Sequence, residues 1–276
     1  MKTKTIFFLL SIIVLCQCIK NPHGSTSSDK DFSDITAKFD TMVSTCLHSK
    51  YDIYGDVGVL EADTLTAQCY ETVLKSIAEK YGEESEEMIA CLQHVADGLM
   101  DTERPFAQTS VLAYNCYLKV LELNKKMYGE NSIPVGKSYA NMVYASGRDD
   151  YGAQEYADSA LKILVPGCGE ISVEVGNVYL YLGDSYRQGN HDTYRAAAQY
   201  MIGRNSEYLY EEDYETIIHN LEKSLVNYRK ALEIYTAVGE GCKEEIADVK
   251  ECIESTEKVL KNNKEGLAYV KAHPSE

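Results

Sequence analysis

One stretch of the sequence decides the fold of this chain: Tyr179-Leu180-Tyr181-Leu182-Gly183-Asp184-Ser185-Tyr186-Arg187-Gln188-Gly189-Asn190. Tyr179, Leu182 and Tyr186 recur at helical spacing, so they lie on one face of a helix. Gly183 on that face removes a side chain where a second helix must come close. Because a helix this short cannot bury its apolar face alone, the stretch predicts helix hairpins stacked on neighbours of their own kind.

The composition is that of a globular protein, with 45% hydrophobic and 25% charged residues in a chain of 276. A stack of hairpins lengthens without needing a second core, so we predict one continuous domain. The net charge of −16 argues against binding to nucleic acid or to an anionic membrane surface, since neither polyanion gains from an acidic protein. The charge favours a basic or neutral partner, or serves solubility alone.

The N-terminus has the pattern of a signal peptide over residues 1–18. Lys2 and Lys4 precede an apolar run of about eleven residues, which is shorter than the roughly 20 residues that a membrane-spanning helix needs. We therefore expect the chain to be exported, to the periplasm or to an outer-membrane or cell-surface location. Residues 19–34 are polar and contain a Ser-Thr-Ser-Ser run, which predicts a flexible tether.

The segment Leu15-Cys16-Gln17-Cys18 resembles a bacterial lipoprotein signal, in which a Leu stands three residues before the lipidated Cys. This resemblance implies a lipid on Cys18, which would be the protein's link to a membrane. Gln17 departs from the small residue that such signals carry at this position. Ordinary cleavage, with Cys16 and Cys18 as the small residues before the cut, is the alternative.

A short motif recurs at the joints between the predicted hairpins. In it a Gly ends one helix as a left-handed cap, and a Ser three residues later begins the next helix as an N-cap. The copies are Tyr81-Gly82-Glu83-Glu84-Ser85, Tyr128-Gly129-Glu130-Asn131-Ser132, Cys168-Gly169-Glu170-Ile171-Ser172 and, more weakly, Val238-Gly239-Glu240. Their spacing predicts repeats of about 40 residues, which is typical of helical hairpins stacked into a superhelix.

The predicted fold is an all-α solenoid of about four antiparallel helix hairpins and a closing helix, spanning residues 35–264. An insertion at about 202–214 lengthens the last hairpin, and residues 265–276 are predicted to be a tail. The closing helix, at 243–261, is polar enough on its outer side to end the stack. The other predicted helices include 35–46, 62–80, 85–100, 106–127, 134–146 and 151–164.

These residues resemble the tetratricopeptide repeat, and most closely the variety of about 42 residues found in kinesin light chains. The first helix of that repeat carries an aromatic, then Leu-Gly, then Tyr, as Tyr179, Leu182-Gly183 and Tyr186 do. Its second helix carries Ala, an aromatic and Ala, and two helices fit this pattern with changes: Ala113, Tyr117, Val120 and Ala153, Ala157, Ala160. The resemblance implies a right-handed superhelix and a non-enzymatic scaffold that binds a protein or peptide on its concave face.

The resemblance also implies which residues line that face, namely those one turn either side of the Leu-Gly pair and their equivalents. They are Asn177, Leu180, Asp184 and Arg187, then Ser138, Asn141, Met142 and Ala145, with His94 and Asp97 continuing the row. Here Asn141 is matched to Gly183, because the longer repeat often carries Asn at that position. Asp184 and Arg187 lie outside the apolar stripe, so changing them is expected to cost little stability. The alternative is that these polar residues are only solvated.

The sequence carries no motif of a catalytic, metal or cofactor site, so we predict a protein that is not an enzyme and needs neither cofactor nor metal. Nine Cys in an exported chain invite a disulfide interpretation. However, Cys on an apolar helix face packs as a small hydrophobe, and four fit this description: Cys69, Cys91, Cys116 and Cys252. Cys168 and Cys242 lie in equivalent turns, on the order of 10 Å or more apart and so beyond the disulfide limit of about 7 Å.

The insertion offers a second candidate surface, where Tyr208 and Tyr210 lie among Glu207, Glu211 and Glu212. An acidic aromatic loop suits a contact surface, although the rings could instead pack inside the fold. The rival function is therefore a cell-surface lipoprotein that binds a glycan or small ligand through this insertion. The absence of Trp beside 22 Tyr argues against that function, because glycan sites commonly stack sugars on indole rings.

Overall fold

The computed structural model describes residue 37 and residues 71–100, 107–146, 150–187 and 211–272. All regular structure within these ranges is helical. In chain order the helices are α1 (71–81), α2 (Glu86–Met100), α3 (Ala107–Tyr128), α4 (Ile133–Ala145), α5 (Asp150–Cys168), α6 (173–187), α7 (Glu211–Val238) and α8 (Lys243–Ala272), with a short 3-10 helix (Glu240–Cys242) before α8.

Consecutive helices pack against each other as stacked hairpins. Helix α2 packs on α3, α4 on α5 and α7 on α8, while α3 also contacts α4 of the next hairpin. Helix α6 pairs with α7 through a close contact between Gly183 and the Tyr228 ring. The predicted all-α solenoid of antiparallel hairpins is therefore confirmed. Most of the predicted first hairpin lies outside the described residues, which include residue 37 of its first helix and, as α1, the last turns of its second helix.

Four glycines end the helices that precede the joints, as the recurring motif predicts. Gly82, Gly129, Gly169 and Gly239 have φ angles of 93°, 86°, 90° and 95°, in the left-handed region that side chains avoid. Each glycine N–H donates to the carbonyl four residues earlier, at 2.9 to 3.0 Å. Each hydrogen bond satisfies a carbonyl in the last turn of a helix and turns the chain toward the next one.

Serine caps begin two of the following helices. Ser85 Oγ accepts a hydrogen bond from the Met88 N–H at 3.1 Å and donates to the Gly82 carbonyl at 3.0 Å. Ser172 repeats this geometry at the start of α6, with distances of 3.3 and 3.0 Å. These bonds link the glycine end of one helix to the first turn of the next, so the joint is fixed on both sides.

The middle joint differs from this prediction. Ser132 occupies the N-cap position of α4, but its side chain makes no cap hydrogen bond. Its hydroxyl is buried without a hydrogen-bond partner in the part of the chain that the structure describes. Pro134 lies in the first turn of α4, where its fixed φ favours the start of a helix without a side-chain cap.

A close approach between α6 and α7 explains the glycine of the deciding stretch. A Cβ added to Gly183 would lie 2.6 Å from two ring carbons of Tyr228, which is 0% exposed. Ser224 Oγ donates to the Gly183 carbonyl at 2.8 Å, so the approach is held by a hydrogen bond as well. Gly176, two turns earlier, meets the Tyr235 ring in the same way. Because these two positions lack side chains, the rings of Tyr228 and Tyr235 on α7 can pack directly against the backbone of α6.

Helices α7 and α8 are longer than the sequence predicts. Residues 265–272 continue α8, where we expected a tail, and α7 already begins at Glu211 within the predicted insertion. The two helix ends hold each other, because Gly266 packs on the Tyr214 ring and Lys271 pairs with Glu211 at 3.0 Å. Together the two ends bury apolar side chains of α7 against α8.

The side of α8 away from α7 is charged. Only three side chains of α8 are buried, at intervals of one heptad on the opposite side of the helix: Val249, Thr256 and Asn263. Most exposed side chains on the other side of the helix are charged, among them Lys250, Glu251, Glu254, Lys258 and Lys261, and Tyr269 is exposed there as well. As predicted for the closing helix, α8 thus presents a polar surface at the end of the stack.

The described cysteines behave as the helical pattern predicts. Cys91 and Cys116 are fully buried in the hairpin of α2 and α3, and Cys91, Cys168, Cys242 and Cys252 are free thiols. Burial raises the pKa of the Cys91 thiol to about 12, so this group packs as a small hydrophobe rather than as a nucleophile. Cys69 lies outside the described residues. Among the described helices, none has both the length and the apolar character needed to cross a membrane.

The contact between Gly183 and Tyr228 generates a stability prediction. Gly183→Ala should lower the free energy of unfolding by about 1–3 kcal/mol, since its Cβ would press on a buried ring. Gly98→Ala is the matched control, because nothing lies within 4 Å of a Cβ at that helical position. Thermal unfolding followed by circular dichroism should show a lower Tm for Gly183→Ala, whereas Gly98→Ala should gain from the helix propensity of Ala. Equal Tm values for the two variants would contradict the close approach.

Candidate functional site

The first helices of the three hairpins, α2, α4 and α6, share one register. Each begins after an equivalent serine, so positions counted from Ser85, Ser132 and Ser172 correspond. Two of these positions carry polar or aromatic side chains that are partly exposed in all three helices. They form what we call the polar row: His94, Asp97, Asn141, Tyr144, Tyr181 and Asp184.

Contacts between neighbouring first helices make the row continuous. Asn141 Nδ2 on α4 donates to Gln93 Oε1 on α2 at 3.0 Å. The rings of Tyr144 on α4 and Tyr181 on α6 lie 5.2 Å apart between centroids and are tilted by 38°. The polar row thus runs across α2, α4 and α6, and we call the surface that it occupies the first-helix face.

Asp97 is held by the second helix of its own hairpin. The Tyr117 hydroxyl donates to Asp97 Oδ1 at 2.6 Å, and Gln93 Nε2 donates to the same oxygen at 2.9 Å. Burial raises the pKa of the Asp97 carboxyl, although these two bonds and the nearby His94 act in the opposite direction. The carboxylate is therefore fixed in orientation and poorly hydrated.

Asp184 repeats this arrangement in the third hairpin. The Tyr228 hydroxyl of α7 donates to Asp184 Oδ1 at 2.5 Å. Burial raises the pKa of Asp184 to about 6, against the Tyr228 hydrogen bond and the charge of Arg187. Two turns earlier, Asn177 Oδ1 accepts a hydrogen bond from the Tyr235 hydroxyl at 2.5 Å. Two tyrosines of α7 thus fix two polar side chains of α6.

The middle hairpin has no such tyrosine–aspartate pair. Tyr144 occupies the position of Asp97 and Asp184, and Ala157 occupies the position of the two donor tyrosines. The Tyr144 ring instead lies beside that of Tyr181. Burial raises the pKa of Tyr181, and the charges of Asp97 and Asp184 raise it further. The row therefore has the order carboxylate, aromatic pair, carboxylate.

Two residues predicted for this surface are in the core instead. Ser138 is 2% exposed and accepts a hydrogen bond from Asn124 Nδ2 at 2.8 Å, and Met142 is 0% exposed. The cause is an error of register, because matching Asn141 to Gly183 shifted the comparison. Counted from the capping serine, Ser138 is equivalent to buried Val178, and Met142 to buried Leu182. The joint motif contained the correct register.

The other predicted positions are partly exposed, and the structure brings them together as far as it describes them. His94, Asp97, Asn141 and Asp184 belong to the polar row, while Asn177, Leu180 and Arg187 lie on α6 nearby. Leu180 also packs against the apolar cluster around Tyr228 and Tyr235. We expected that changing Asp184 would cost little stability, but its carboxylate accepts a hydrogen bond from the Tyr228 hydroxyl, so this residue is part of the packing between α6 and α7. The predicted surface around Tyr208 and Tyr210, and the predicted lipid site at Cys18, lie outside the described residues.

The two tyrosines at the centre of the row were not among the residues predicted for this surface. Tyr144 and Tyr181 follow from the same count that corrects Ser138 and Met142, so the sequence did contain their signal. The chemistry of the row is hydrogen bonding, charge and aromatic contact. In the described ranges, no three His, Cys, Asp or Glu side chains are placed to hold a metal ion.

The raised pKa of Asp184 generates a pH prediction. This carboxyl has a pKa of about 6 in the fold against an ordinary 3.8, so the folded state binds its proton more tightly than the unfolded state does. Its contribution to stability is complete below about pH 4 and is lost as the pH rises through about 6. Asp184→Asn keeps an oxygen that can accept the Tyr228 bond but carries no charge. The variant should therefore gain Tm relative to the wild type on going from pH 4 to pH 7.

Thermal melts of the two proteins at both pH values test this, and all other groups cancel in the difference. A Tm difference, variant minus wild type, that is the same at both pH values or larger at pH 4 than at pH 7 would contradict burial as the cause of the raised pKa.

No family model matches the chain, and no curated protein matches it. The crystal structure of BtubC (BKLC) from P. vanneervenii is among the solved structures that match. The two chains are 15% identical over 88% of this chain and 94% of the other, with a TM-score of 0.35. The assignment to a solenoid of helix hairpins therefore rests on the helix packing and the joints described above.

Proposed function

We propose that the protein is an exported, non-enzymatic scaffold that binds a protein or peptide partner on its first-helix face. The observation that carries this proposal is the polar row, whose members lie on three successive hairpins. In a stack of hairpins, equivalent positions form one extended surface, which suits an extended partner. The tetratricopeptide-like sequence pattern supports the same choice of face.

The row is built before a partner arrives. Tyr117 and Tyr228 fix Asp97 and Asp184, and Asn141 is held by Gln93. Because these side chains are already ordered by bonds within the protein, a partner would lose less conformational entropy on binding them. Such preorganisation favours recognition of a defined chemical pattern over loose adhesion.

The charge of the chain supports a particular class of partner. A net charge of −16 repels nucleic acids and anionic surfaces and attracts basic proteins. The two carboxylates of the row place part of this charge at the proposed interface. A basic or neutral protein segment is therefore the proposed partner.

Photo-crosslinking tests the location of the interface. We expect p-benzoylphenylalanine in place of Tyr144 to capture the partner, because this ring is partly exposed at the centre of the row. Tyr114 is the matched control, since it is also a partly exposed tyrosine but belongs to α3, a second helix. Immunoblots of irradiated cells should show a discrete adduct from position 144 and none from position 114. An adduct from position 114 alone would move the interface to the second helices.

Export and lipidation form a separate part of the proposal, which the pattern of residues 1–18 supports. Cells fed with an alkyne fatty acid should label the wild-type protein, and the label should disappear in Cys18→Ser. Cys16→Ser is the matched control, because it removes the neighbouring thiol and leaves Cys18 in place. A wild-type protein without label, or a label that persists in Cys18→Ser, would exclude lipid on this residue.

A further inference from the structure

We infer that the polar row is a clamp for two cationic side chains of an extended partner segment, which bind Asp97 and Asp184 while the chain between them crosses the rings of Tyr144 and Tyr181. This inference rests on the proposed function, because it names the chemistry that the first-helix face recognises. It predicts a short basic motif in the partner rather than a generally basic surface.

The two carboxylates have unused hydrogen-bonding capacity. Both donors to Asp97 contact Oδ1, and the Tyr228 hydroxyl contacts Oδ1 of Asp184. Within the described part of the chain, neither Oδ2 atom accepts a hydrogen bond. A carboxylate has about four acceptor sites, so each group can take a further donor from a partner. An ammonium or guanidinium group would also supply the positive charge that a poorly hydrated carboxylate lacks.

The aromatic pair suits the chain between the two cations. Tyr144 and Tyr181 are both partly exposed, and their rings lie side by side at the edge of the apolar core, against which each also packs. Aromatic faces bind the aliphatic stems of lysine and arginine and attract the cations themselves. The order of the row therefore matches a segment with a cation at each end and apolar stems between them.

The arrangement of the helices sets the spacing of the two cations. Asp97 lies on α2 and Asp184 on α6, with α4 between them, so the carboxylates are two helix spacings apart. Packed helices lie 8–10 Å apart, which gives a separation on the order of 20 Å. An extended chain rises about 3.3 Å per residue, so the cations should be about six residues apart. An even separation also places both side chains on the same side of the segment.

Neighbouring charges make the two ends unequal. Arg187 acts on Asp184 and lowers the pKa of this carboxyl, so a partner cation there competes with a cation of the protein itself. His94 acts in the same direction on Asp97. A histidine is a weaker competitor than an arginine, however, because the guanidinium group is always charged. Lys137 of α4 does not compete, because it pairs with Glu174 at 3.0 Å. We therefore expect the histidine end, at Asp97, to bind the partner more strongly.

The direct test uses the full chain and a fluorescein-labelled peptide of twelve residues. The peptide consists of Gly and Ser, with two lysines six residues apart and one Leu midway between them. Fluorescence anisotropy should show binding that weakens as salt rises toward 1 M, where the screening length is about 3 Å. The same peptide with both lysines acetylated keeps the stems but loses the charges, and it should bind at least about tenfold more weakly. A peptide with lysines two residues apart should also bind more weakly, because it cannot reach both carboxylates.

Variants of the protein identify the site. Asp97→Asn and Asp184→Asn keep an oxygen for the tyrosine donors, so the fold is retained while each charge is lost. Each should weaken binding of the two-lysine peptide, Asp97→Asn by about tenfold and Asp184→Asn by less. Asp158→Asn is the matched control, because Asp158 is exposed on α5, a second helix. Circular dichroism of each variant verifies that it is folded.

Two outcomes would overturn the clamp: equal binding of the acetylated peptide, or unchanged binding by the double variant Asp97→Asn/Asp184→Asn. The proposed function would fail in a different way, through the absence of any partner adduct at position 144. An adduct at position 144 that persists in the double variant would keep the first-helix face as the interface and reject the clamp.

Discussion

The packing of Tyr228 on α6 is the contact on which both the fold and the candidate site depend. Its ring occupies the space that Gly183 leaves, and its hydroxyl holds Asp184 on the first-helix face. One side chain therefore closes a helix pair and orients a charge at the surface. This explains why the site is stiff, because moving the carboxylate would disturb a residue that is 0% exposed.

The joints between hairpins were the part of the fold that the sequence predicted best. A left-handed glycine and a capping serine are local features, so Gly82 and Ser85 can be recognised without knowing what packs around them. The exception at Ser132 has a local cause too, since Pro134 starts α4 without a side-chain cap. The ends of α7 and α8 are far apart in sequence and pack against each other. The ion pair between Lys271 and Glu211 could therefore not be predicted from a local pattern.

The candidate site was predicted only in part, for two different reasons. The burial of Ser138 and Met142 was an avoidable error, because the joint motif fixes the register of α4. The hydrogen bond between Tyr228 and Asp184 was not predictable in this way. It joins residues 44 positions apart, and the same pairing is absent from the middle hairpin, where Ala157 replaces the donor. Periodicity can place side chains on faces, but it does not show which of them touch.

The charged side of α8 has a consequence for what can pack against this end of the described stack. Every hairpin in the stack has an apolar side that accepts a neighbour, so a solenoid with two such ends would polymerise head to tail into filaments. The buried heptad of Val249, Thr256 and Asn263 attaches α8 to α7, while charged groups such as Lys250 and Glu254 face outward. Docking another hairpin there would strip water from those charges, which is costly. The charged side of α8 therefore disfavours the addition of another hairpin at this end of the described stack.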